Sequence, residues 1–263
     1  MNAITTDRSN TTAWTGLVQV EDTALAVSDT GGEGPAVIYL NGSYATQSNW
    51  KKVIADLGAG YRHITFDERA RGKSRTSADY SFEACLRDVD AVLAARGVQR
   101  AILVGWSYGA LVAVHWADRN PDRVIGVVSV DGAQPWGLTD EAGKERIRKL
   151  FAQMRYFMPL LRPFGLAARM SAEQHAEVNI ELNDLCAAVA PTLERLSRPV
   201  RYVLATGANL GASEEEMEAV RASLTPVLAA NPNLTITAKV PSNHSKILTK
   251  DFHAVADAIR ATA

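Results

Sequence analysis

Apolar residues occur along the chain in short runs that alternate with longer segments of helical periodicity. The run Ala36–Leu40 is continuous and apolar, as is expected of a strand buried on both faces of a sheet. Between residues 82 and 93 apolar side chains recur at i, i+3, i+4 and i+7, which predicts a helix with Arg87, Asp88 and Asp90 on its polar face. This alternation predicts an α/β fold in which helices flank a mostly parallel sheet.

The same pattern predicts eight strands, at residues 17–20, 24–28, 36–40, 63–66, 101–104, 124–130, 200–205 and 234–240. The alternation stops at Gln134 and resumes at about Arg198, and the residues between them show only helical patterns. We therefore predict an α/β core formed by residues 15–133 and 199–263. A helical lid, residues 134–198, is inserted after the sixth strand, and residues 1–14 form a flexible tail.

The composition excludes several classes of protein. Hydrophobic residues make up 47% of the chain and charged residues 22%, with a formal net charge of -1. These values are typical of a globular protein, and no basic patch indicates nucleic-acid binding. No apolar run is long enough to span a membrane, and the N-terminus lacks a secretory signal. Cys85 and Cys186 are expected to be buried free thiols. These features together favour a cytoplasmic protein that does not bind membranes.

The candidate chemistry begins at Ser107. The segment Gly105-Trp106-Ser107-Tyr108-Gly109 joins a predicted strand directly to a predicted helix. In that context G-x-S-x-G presents a serine nucleophile on a strained turn, with its hydroxyl at the positive end of the helix. The alternative is a serine between two glycines that only turns the chain.

With two further motifs, this pentapeptide resembles the α/β-hydrolase fold family. Residues 40–43, Leu-Asn-Gly-Ser, with Trp50 downstream, are similar to the family's oxyanion loop, although Asn41 stands where members often have histidine. Residues 67–74 are similar to its D-x-R-G-x-G-x-S stretch, with Ala70 in place of one glycine. The resemblance runs from Ala36 to the C-terminus apart from the lid.

The resemblance implies a triad of serine, acid and histidine in that chain order. It also implies an oxyanion hole formed by the backbone N–H groups of Ser43 and Tyr108. By the same comparison Asp67, Arg69 and Ser74 are expected to brace a loop and to take no part in catalysis.

Five histidines compete for the role of general base. Only His244 lies in a loop between the last strand and the last helix, where the chain order of this fold requires it. His63 begins a strand, at the end of the sheet opposite the chemistry. His115 is expected in the core, His175 exposed on the lid between acidic neighbours, and His253 on the last helix.

The acid is predicted to be Asp131. Many family members carry the acid after the strand before the last, but residues 206–212 contain no carboxylate, and the acidic run 214–216 is typical of a first helical turn. Asp131 ends the sixth strand, where a minority of the family places its acid, and from there it would orient His244. Two alternatives stay open: Asp131 caps the turn into the lid, or Asn209 is a neutral orienter.

Serine at the elbow argues against haloalkane dehalogenase and soluble epoxide hydrolase chemistry, which in this fold uses an aspartate nucleophile. The predicted reaction is hydrolysis of a small or medium-sized hydrophobic ester, thioester or lactone through an acyl-enzyme. Tyr44, Trp106 and Trp136 are expected to line a mostly apolar pocket with Met and Phe residues of the lid. No cofactor or metal is expected.

Two alternatives remain open for the function. One is a cofactor-independent dioxygenase of the same fold that uses a His–Asp pair. The other is a ligand-binding, receptor-like member with a vestigial triad. The expected partner is a small hydrophobic molecule, and a homodimer stays open.

Overall fold

The computed structural model of the chain describes residues 12–161, 168–207 and 214–263. The sheet contains β1 (Trp14–Val20), β2 (Thr23–Asp29), β3 (Ala36–Leu40), β4 (Arg62–Phe66), β5 (Ala101–Trp106), β6 (Val124–Val130), β7 (Val200–Ala205) and β8 (Leu234–Val240). Its strand order is β1-β2-β4-β3-β5-β6-β7-β8. The β1–β2 and β2–β4 pairs are antiparallel and the others parallel. The predicted eight-stranded, mostly parallel α/β-hydrolase sheet is thus confirmed.

The described helices are α1 (Lys51–Leu57), α2 (Phe82–Ala95), α3 (Tyr108–Arg119), α4 (Glu141–Met154), α5 (Met158–Leu161), α6 (Ala172–Ala187), α7 (Ala190–Arg195), α8 (Glu214–Ala222), α9 (Leu224–Ala230), α10 (Ile247–Lys250) and α11 (Phe252–Arg260). None of the helices in these described ranges is long and apolar enough to cross a membrane.

Apolar side chains are buried on both faces of the sheet. On one face α2 and α3 contribute Val89, Leu93 and Trp116 to the larger cluster. On the other face α1 and α11 contribute Val53 and Ile259 to a second cluster. Because both faces are covered, the central strands β3, β5 and β6 consist almost entirely of apolar residues.

The N-terminal strand starts earlier than the sequence pattern indicates. Trp14, assigned above to the tail, opens β1 and pairs with Asp29 of β2. The guanidinium carbon of Arg96 lies 4.5 Å from the centre of the Trp14 ring. This cation–π contact gives the aromatic side chain a partner at the edge of the sheet.

Asp88 was expected on the polar face of α2, and that prediction is wrong. Its side chain is buried and pairs with Arg69 at 2.9 Å, while Arg69 also pairs with Glu21 at 2.8 Å. The positive charge of the Arg69 guanidinium stabilises the Asp88 carboxylate, which burial separates from water. Arg87 and Asp90 are exposed as expected.

Between β6 and β7 the described residues form the helices α4 to α7 and the loops that join them, with no strand among them. We call residues 134–198 the helical segment. In it α4 and α6 pack through a small apolar cluster that includes Ile147, Phe151 and Ile180. The predicted lid residues Phe164 and Leu166 lie outside the described residues.

Several polar contacts join the helical segment to the core, and two of them lie near the start of α2 and the loop before it. The Glu181 carboxylate accepts the Phe82 N–H at 3.0 Å, so that α6 caps the start of α2. The Arg169 N–H donates to the Ala70 carbonyl at 2.8 Å. Both contacts join the segment to the region around the loop after β4.

Candidate active site

Ser107, the predicted nucleophile, occupies the sharp turn between β5 and α3. Its backbone has φ 55° and ψ -116°, outside the regions that side-chain-bearing residues ordinarily adopt. The Ser107 N–H donates to the Val130 carbonyl of β6 at 3.0 Å, which holds the turn against the neighbouring strand. Strain of this kind persists only where the surrounding structure enforces it.

The two glycines of the turn are required by close backbone approaches. A Cβ on Gly105 would lie 2.2 Å from the Gly109 carbonyl oxygen, and one on Gly109 would lie 2.1 Å from the Leu40 carbonyl oxygen. Any other residue at either position would push β5, α3 and β3 apart. The pentapeptide is thus fixed by packing around Ser107.

His244 and Asp131 form a direct pair. The Nδ1 atom of His244 lies 2.7 Å from Oδ2 of Asp131. The other carboxylate oxygen, Oδ1, accepts the Ala205 N–H at 3.0 Å, and the Asp131 N–H donates to the Val203 carbonyl at 2.9 Å. The acid is therefore held in place by β7 while it orients the imidazole.

The end of β6 packs directly against the serine turn. A Cβ on Gly132 would lie 2.4 Å from the Ser107 carbonyl oxygen, and Asp131 has φ 47°. Backbone strain is therefore found on both the predicted nucleophile and the predicted acid. The competing orienter, Asn209, lies outside the described residues.

Ser107 and His244 line the same cavity, which has a volume of about 730 Å³. The Trp106 and His244 rings lie 5.5 Å apart between centres. Apolar and polar side chains share the lining, which consists of Gly42, Ser43, Tyr44, Ala45, Thr46, Ser48, Asn49, Trp106, Ser107, Asn179, Leu182, His244, Ser245 and Lys246. Two of the predicted pocket residues, Tyr44 and Trp106, are in this set.

Trp136, the third predicted pocket residue, lines a smaller cavity of about 150 Å³. Ser107, Tyr108 and Asp131 also line that cavity, and Leu182 lines both cavities. The two spaces therefore meet at the serine turn.

The two predicted oxyanion donors flank the serine. A Cβ on Gly42 would lie 3.4 Å from the Cβ of Ser107, which places the 41–45 loop directly beside the predicted nucleophile. Within the described residues neither the Ser43 N–H nor the Tyr108 N–H donates to another protein group. Both residues line cavities that contain Ser107. Two N–H groups beside a serine can stabilise negative charge on a substrate oxygen.

These features agree with an independent comparison of the whole sequence. Residues 35–212 match the family described as the alpha/beta hydrolase fold. The chain belongs to this family. The match includes the serine turn, the 41–45 loop and Asp131, whereas His244 lies beyond it.

Similar proteins in this family have diverse names. Epoxide hydrolase B of Mycobacterium tuberculosis is 37% identical over 111 residues, which are 41% of this chain and 31% of that protein. The haloalkane dehalogenase of Mesorhizobium japonicum is 26% identical over 140 residues, 52% of this chain and 45% of that protein. The chain therefore spans less than half the length of either curated relative.

A solved structure described as a hydrolase from Pseudomonas aeruginosa PA01 resembles the whole of the α/β-hydrolase fold seen here. Its TM-score is 0.73 at 19% sequence identity, and the match covers 94% of this chain and 97% of that one. At this identity the likeness shows the fold alone.

A buried carboxylate under the 41–45 loop was missed by the sequence analysis. Glu68 accepts the Asn41 backbone N–H at 2.8 Å and the Asn41 side-chain amide at 2.9 Å. Burial raises the pKa of Glu68 to about 7, against the opposing effects of Arg71 and Asn41. Two signals were present in the sequence. Asn41 departs from the family's usual histidine, and Glu68 follows β4, whose carboxyl end lies beside that of β3 in the parallel sheet.

Tyr44, next to Ser43 in the sequence, reaches into the helical segment. Its hydroxyl accepts a hydrogen bond from the Asn179 side-chain amide of α6 at 2.9 Å, and its ring lies 5.6 Å from that of His175. Burial raises the pKa of Tyr44 to about 12, and the hydrogen bond from Asn179 opposes this effect. Asn179, which lines the larger cavity, was also missed by the sequence analysis.

His175 was expected to be exposed, and that prediction is wrong. Only 2% of its surface is accessible, and its ring stacks on Phe151 at 5.6 Å with an interplanar angle of 8°. The acidic neighbours on α6 indicated solvent, but the imidazole lies on the opposite face of the helix, between α4 and Tyr44.

The remaining histidines lie away from the serine turn. His63 at the start of β4 contacts the Tyr39 hydroxyl at 2.9 Å, and burial lowers its pKa. His115 packs edge-on against Phe82 in the core. His253 on α11 is exposed and pairs with Asp56.

The loop after β4 is braced as the family resemblance implied. Asp67 accepts the backbone N–H groups of Gln47 and Lys73, at 2.8 and 2.9 Å. The Ser74 hydroxyl donates to the Asp67 carbonyl. Arg69 pairs with buried Asp88 and with exposed Glu21, as described above.

The two cysteines are free, with Cys85 buried and Cys186 partly buried. Burial raises the pKa of each thiol to about 12. Within the three described ranges no group of three His, Cys, Asp or Glu side chains could hold a metal ion.

Proposed function

We propose that this protein is a serine hydrolase that cleaves a small or medium-sized hydrophobic ester, thioester or lactone through an acyl-enzyme. Ser107 is the nucleophile, His244 the general base and Asp131 the group that orients it. One observation carries the proposal. Ser107, on its strained turn, lines the same cavity as His244, and the Nδ1 atom of His244 lies 2.7 Å from the largely buried Asp131 carboxylate.

The Asp131 contact determines the proton chemistry of His244. With Nδ1–H donated to Asp131, Nε2 carries the lone pair and can accept the Ser107 proton. The Ser107 Oγ then bonds to the substrate carbonyl carbon, and the carbonyl π electrons move to oxygen. When the tetrahedral intermediate collapses, the bond to the alcohol or thiol breaks and His244 returns the proton to that leaving group.

Deacylation repeats the sequence with water in place of the alcohol. His244 takes a proton from water, the hydroxyl bonds to the acyl carbon, and the acid leaves as Ser107 recovers its proton. In both halves the Ser43 and Tyr108 N–H groups would stabilise the negative oxygen. Loss of one such donor typically slows an enzyme by about 10²–10³-fold.

The reactions named for these relatives do not fit the residue at the elbow of this chain. Epoxide hydrolase and haloalkane dehalogenase chemistry in this fold uses an aspartate at the elbow, and this chain has Ser107 there. A serine ester is resolved by attack of water on a carbonyl, which favours acyl substrates. The mixed lining of the 730 Å³ cavity accommodates an apolar acyl chain beside Trp106 and Leu182.

The proposal is tested by treating the intact protein with a fluorophosphonate and locating the adduct by mass spectrometry. Wild type should be labelled on Ser107 and should hydrolyse p-nitrophenyl acetate or butyrate. Ser107→Ala should abolish both, and His244→Ala should slow both by about 10²–10⁴-fold. His253→Ala is the matched control, because His253 also pairs with a carboxylate but lies on the surface. Folded wild type that is neither labelled nor active would contradict the proposal.

A second candidate rests on the same His244–Asp131 pair at the end of β6. A cofactor-independent dioxygenase of this fold would use that pair to deprotonate its substrate and would not need the serine hydroxyl. Ser107→Ala separates the two functions, because an oxygenase keeps most of its activity and an acyl hydrolase loses nearly all of it. A receptor-like protein would bind a ligand without turnover in either form.

The homodimer and the cytoplasmic location stay predictions. Sedimentation of the purified chain over a range of concentrations would measure its oligomeric state.

A further inference from the structure

The 41–45 loop, which carries the predicted oxyanion donor Ser43, rests on a fully enclosed set of polar contacts. Asn41 is 1% exposed and uses every polar atom of its side chain. Its Oδ1 accepts the Trp50 indole N–H at 2.8 Å, and its Nδ2 donates to the Phe66 carbonyl at 2.7 Å and to Glu68 at 2.9 Å. Buried polar groups of this kind fix one arrangement when all of them are satisfied.

Among the described residues that form these hydrogen bonds with Asn41, Glu68 is the only one with an ionisable side chain. Its two carboxylate oxygens each accept one Asn41 N–H, one from the backbone and one from the side chain. This two-point contact fixes both the position and the rotation of Asn41, two residues before Ser43.

Arg71 fixes the other side of the same donor. Its Nε donates to the Ser43 carbonyl at 2.5 Å, and its positive charge opposes the rise in the pKa of Glu68. The Leu40–Asn41 peptide and the Ser43–Tyr44 peptide are therefore anchored to two side chains of the loop after β4. The thiol of Cys85 on α2 also interacts electrostatically with Glu68.

We propose that Glu68 is a positioning residue for catalysis, which holds the 41–45 loop through Asn41 so that the Ser43 N–H points at the developing oxyanion. The inference rests on the proposed function. Glu68 is buried and lines neither of the two cavities that contain Ser107; it acts through Asn41 and, with Arg71, through the Ser43 peptide.

The geometry explains why a carboxylate, and not an amide, is needed at this position. Both Asn41 groups that face Glu68 are donors, so a glutamine of the same shape must turn its own NH₂ toward one of them. One hydrogen bond is then lost and two donors are opposed in a buried site, where unsatisfied groups are costly. The loop relaxes, and the Ser43 N–H moves from the position the oxyanion will occupy.

Glu68→Gln tests the inference with p-nitrophenyl butyrate. We expect kcat to fall by about 10- to 100-fold, because a donor displaced by a fraction of an ångström loses much of its effect on the transition state. KM should change less than about threefold, since the N–H acts on charge that the bound substrate does not yet carry. The rate of fluorophosphonate labelling at Ser107 should fall in parallel, because that reaction also builds charge on an oxygen.

Asp88→Asn is the matched control. Asp88 is also a buried carboxylate with a raised pKa that is bound to the loop after β4, but it pairs with Arg69 and does not contact the 41–45 loop. Assayed well below the melting temperature of each variant, Asp88→Asn should keep kcat near wild type. An equal fall of kcat in both variants, or unchanged kcat in folded Glu68→Gln, would overturn the inference.

Arg71→Met provides a second test if Glu68→Gln does not fold. It removes the hydrogen bond to the Ser43 carbonyl together with the positive charge that favours the ionised form of Glu68. A fall in kcat with little change in KM supports the positioning role, and an unchanged kcat contradicts it. In either case labelling of wild-type Ser107 remains a separate test of the proposed function, so that the two failures are distinguishable.

Discussion

The two sides of the main cavity are built differently. On the strand side, Ser107, Asp131 and the 41–45 loop lie at the ends of β5, β6 and β3. Backbone hydrogen bonds hold all three, and the carboxylates of Asp131 and Glu68 each accept a backbone N–H. On the helical side, Asn179 and Leu182 come from α6, whose packing onto α4 depends on a small cluster of side chains.

The difference indicates that the two sides of the cavity have different functions. The groups that we propose to meet a transition state lie on the strand side, where neighbouring strands enforce the backbone strain at Ser107 and Asp131. The helical side contributes side chains of α6 to the lining of the cavity and carries no member of the predicted triad. We expect variants on the strand side to change kcat and variants on the helical side to change KM and local stability.

The largest effect in this comparison is expected for Asp131→Asn. Asparagine tolerates the φ of 47° and can still accept the Ala205 N–H, so the fold should persist. Its NH₂ would face His244 Nδ1 and select the tautomer with the proton on Nε2, which cannot take the Ser107 proton. We expect kcat to fall by about 10⁴-fold, as for this change in other triads.

The matched control for this variant is Asp56→Asn in the surface pair with His253. It makes the same chemical change beside a histidine and should leave kcat unchanged. If Asp131→Asn retained activity within about tenfold, the orienting role would have to be assigned to another residue.

A smaller and local effect is expected for His175→Ala on the helical side. The buried ring stacks on Phe151 and contacts Tyr44, so its removal leaves a cavity between α4 and α6. We expect a loss of about 2 kcal/mol in local stability. Hydrogen exchange should become faster in α4 and α6 and stay unchanged in β5 and β6, and kcat should change little.

His115→Ala on α3 is the control for this experiment, since it removes a ring packed on Phe82 in the core. It should weaken protection in the core helices and leave α6 unaffected. Equal loss of protection in β5 and α6 after His175→Ala would show that the two sides unfold together, and the division proposed above would fail.

The sequence predicted the strand side much better than the helical side. Ser107 was singled out by five consecutive residues between a strand and a helix, and His244 by its place between β8 and the last helices. Local pattern and chain order were therefore sufficient to choose two residues that the structure brings to one cavity. His175, Asn179 and Asp88 could not be placed in this way. Their burial depends on partners far away in the chain, as for Asn179 and Tyr44, 135 positions apart.

Glu68 shows the same limit on the strand side. Its position after β4 was visible, but only the packed loop reveals that both its oxygens face Asn41 donors. A polar residue beside a family motif can be solvated or buried, and periodicity does not distinguish these cases in a loop. A residue that departs from a family motif, as Asn41 does, can therefore be interpreted only when its neighbours in the folded structure are known.

The smallest effect is expected for Tyr44→Phe, which removes the hydrogen bond between the two sides of the cavity. A neutral hydrogen bond of this kind contributes about 1 kcal/mol, so we expect KM to rise by at most about fivefold and the opening of α6 to become easier by a similar free energy. Asn179→Ala in the same background should add less than it does alone, because the two side chains share the bond. Tyr156→Phe, on an exposed turn of the helical segment, is the control and should change neither quantity. Glu68 and Arg71 hold the 41–45 loop from below, so kcat should remain near wild type. A fall in kcat at constant KM would mean that the helical side also positions the oxyanion donor, and the contrast between the two sides would no longer hold.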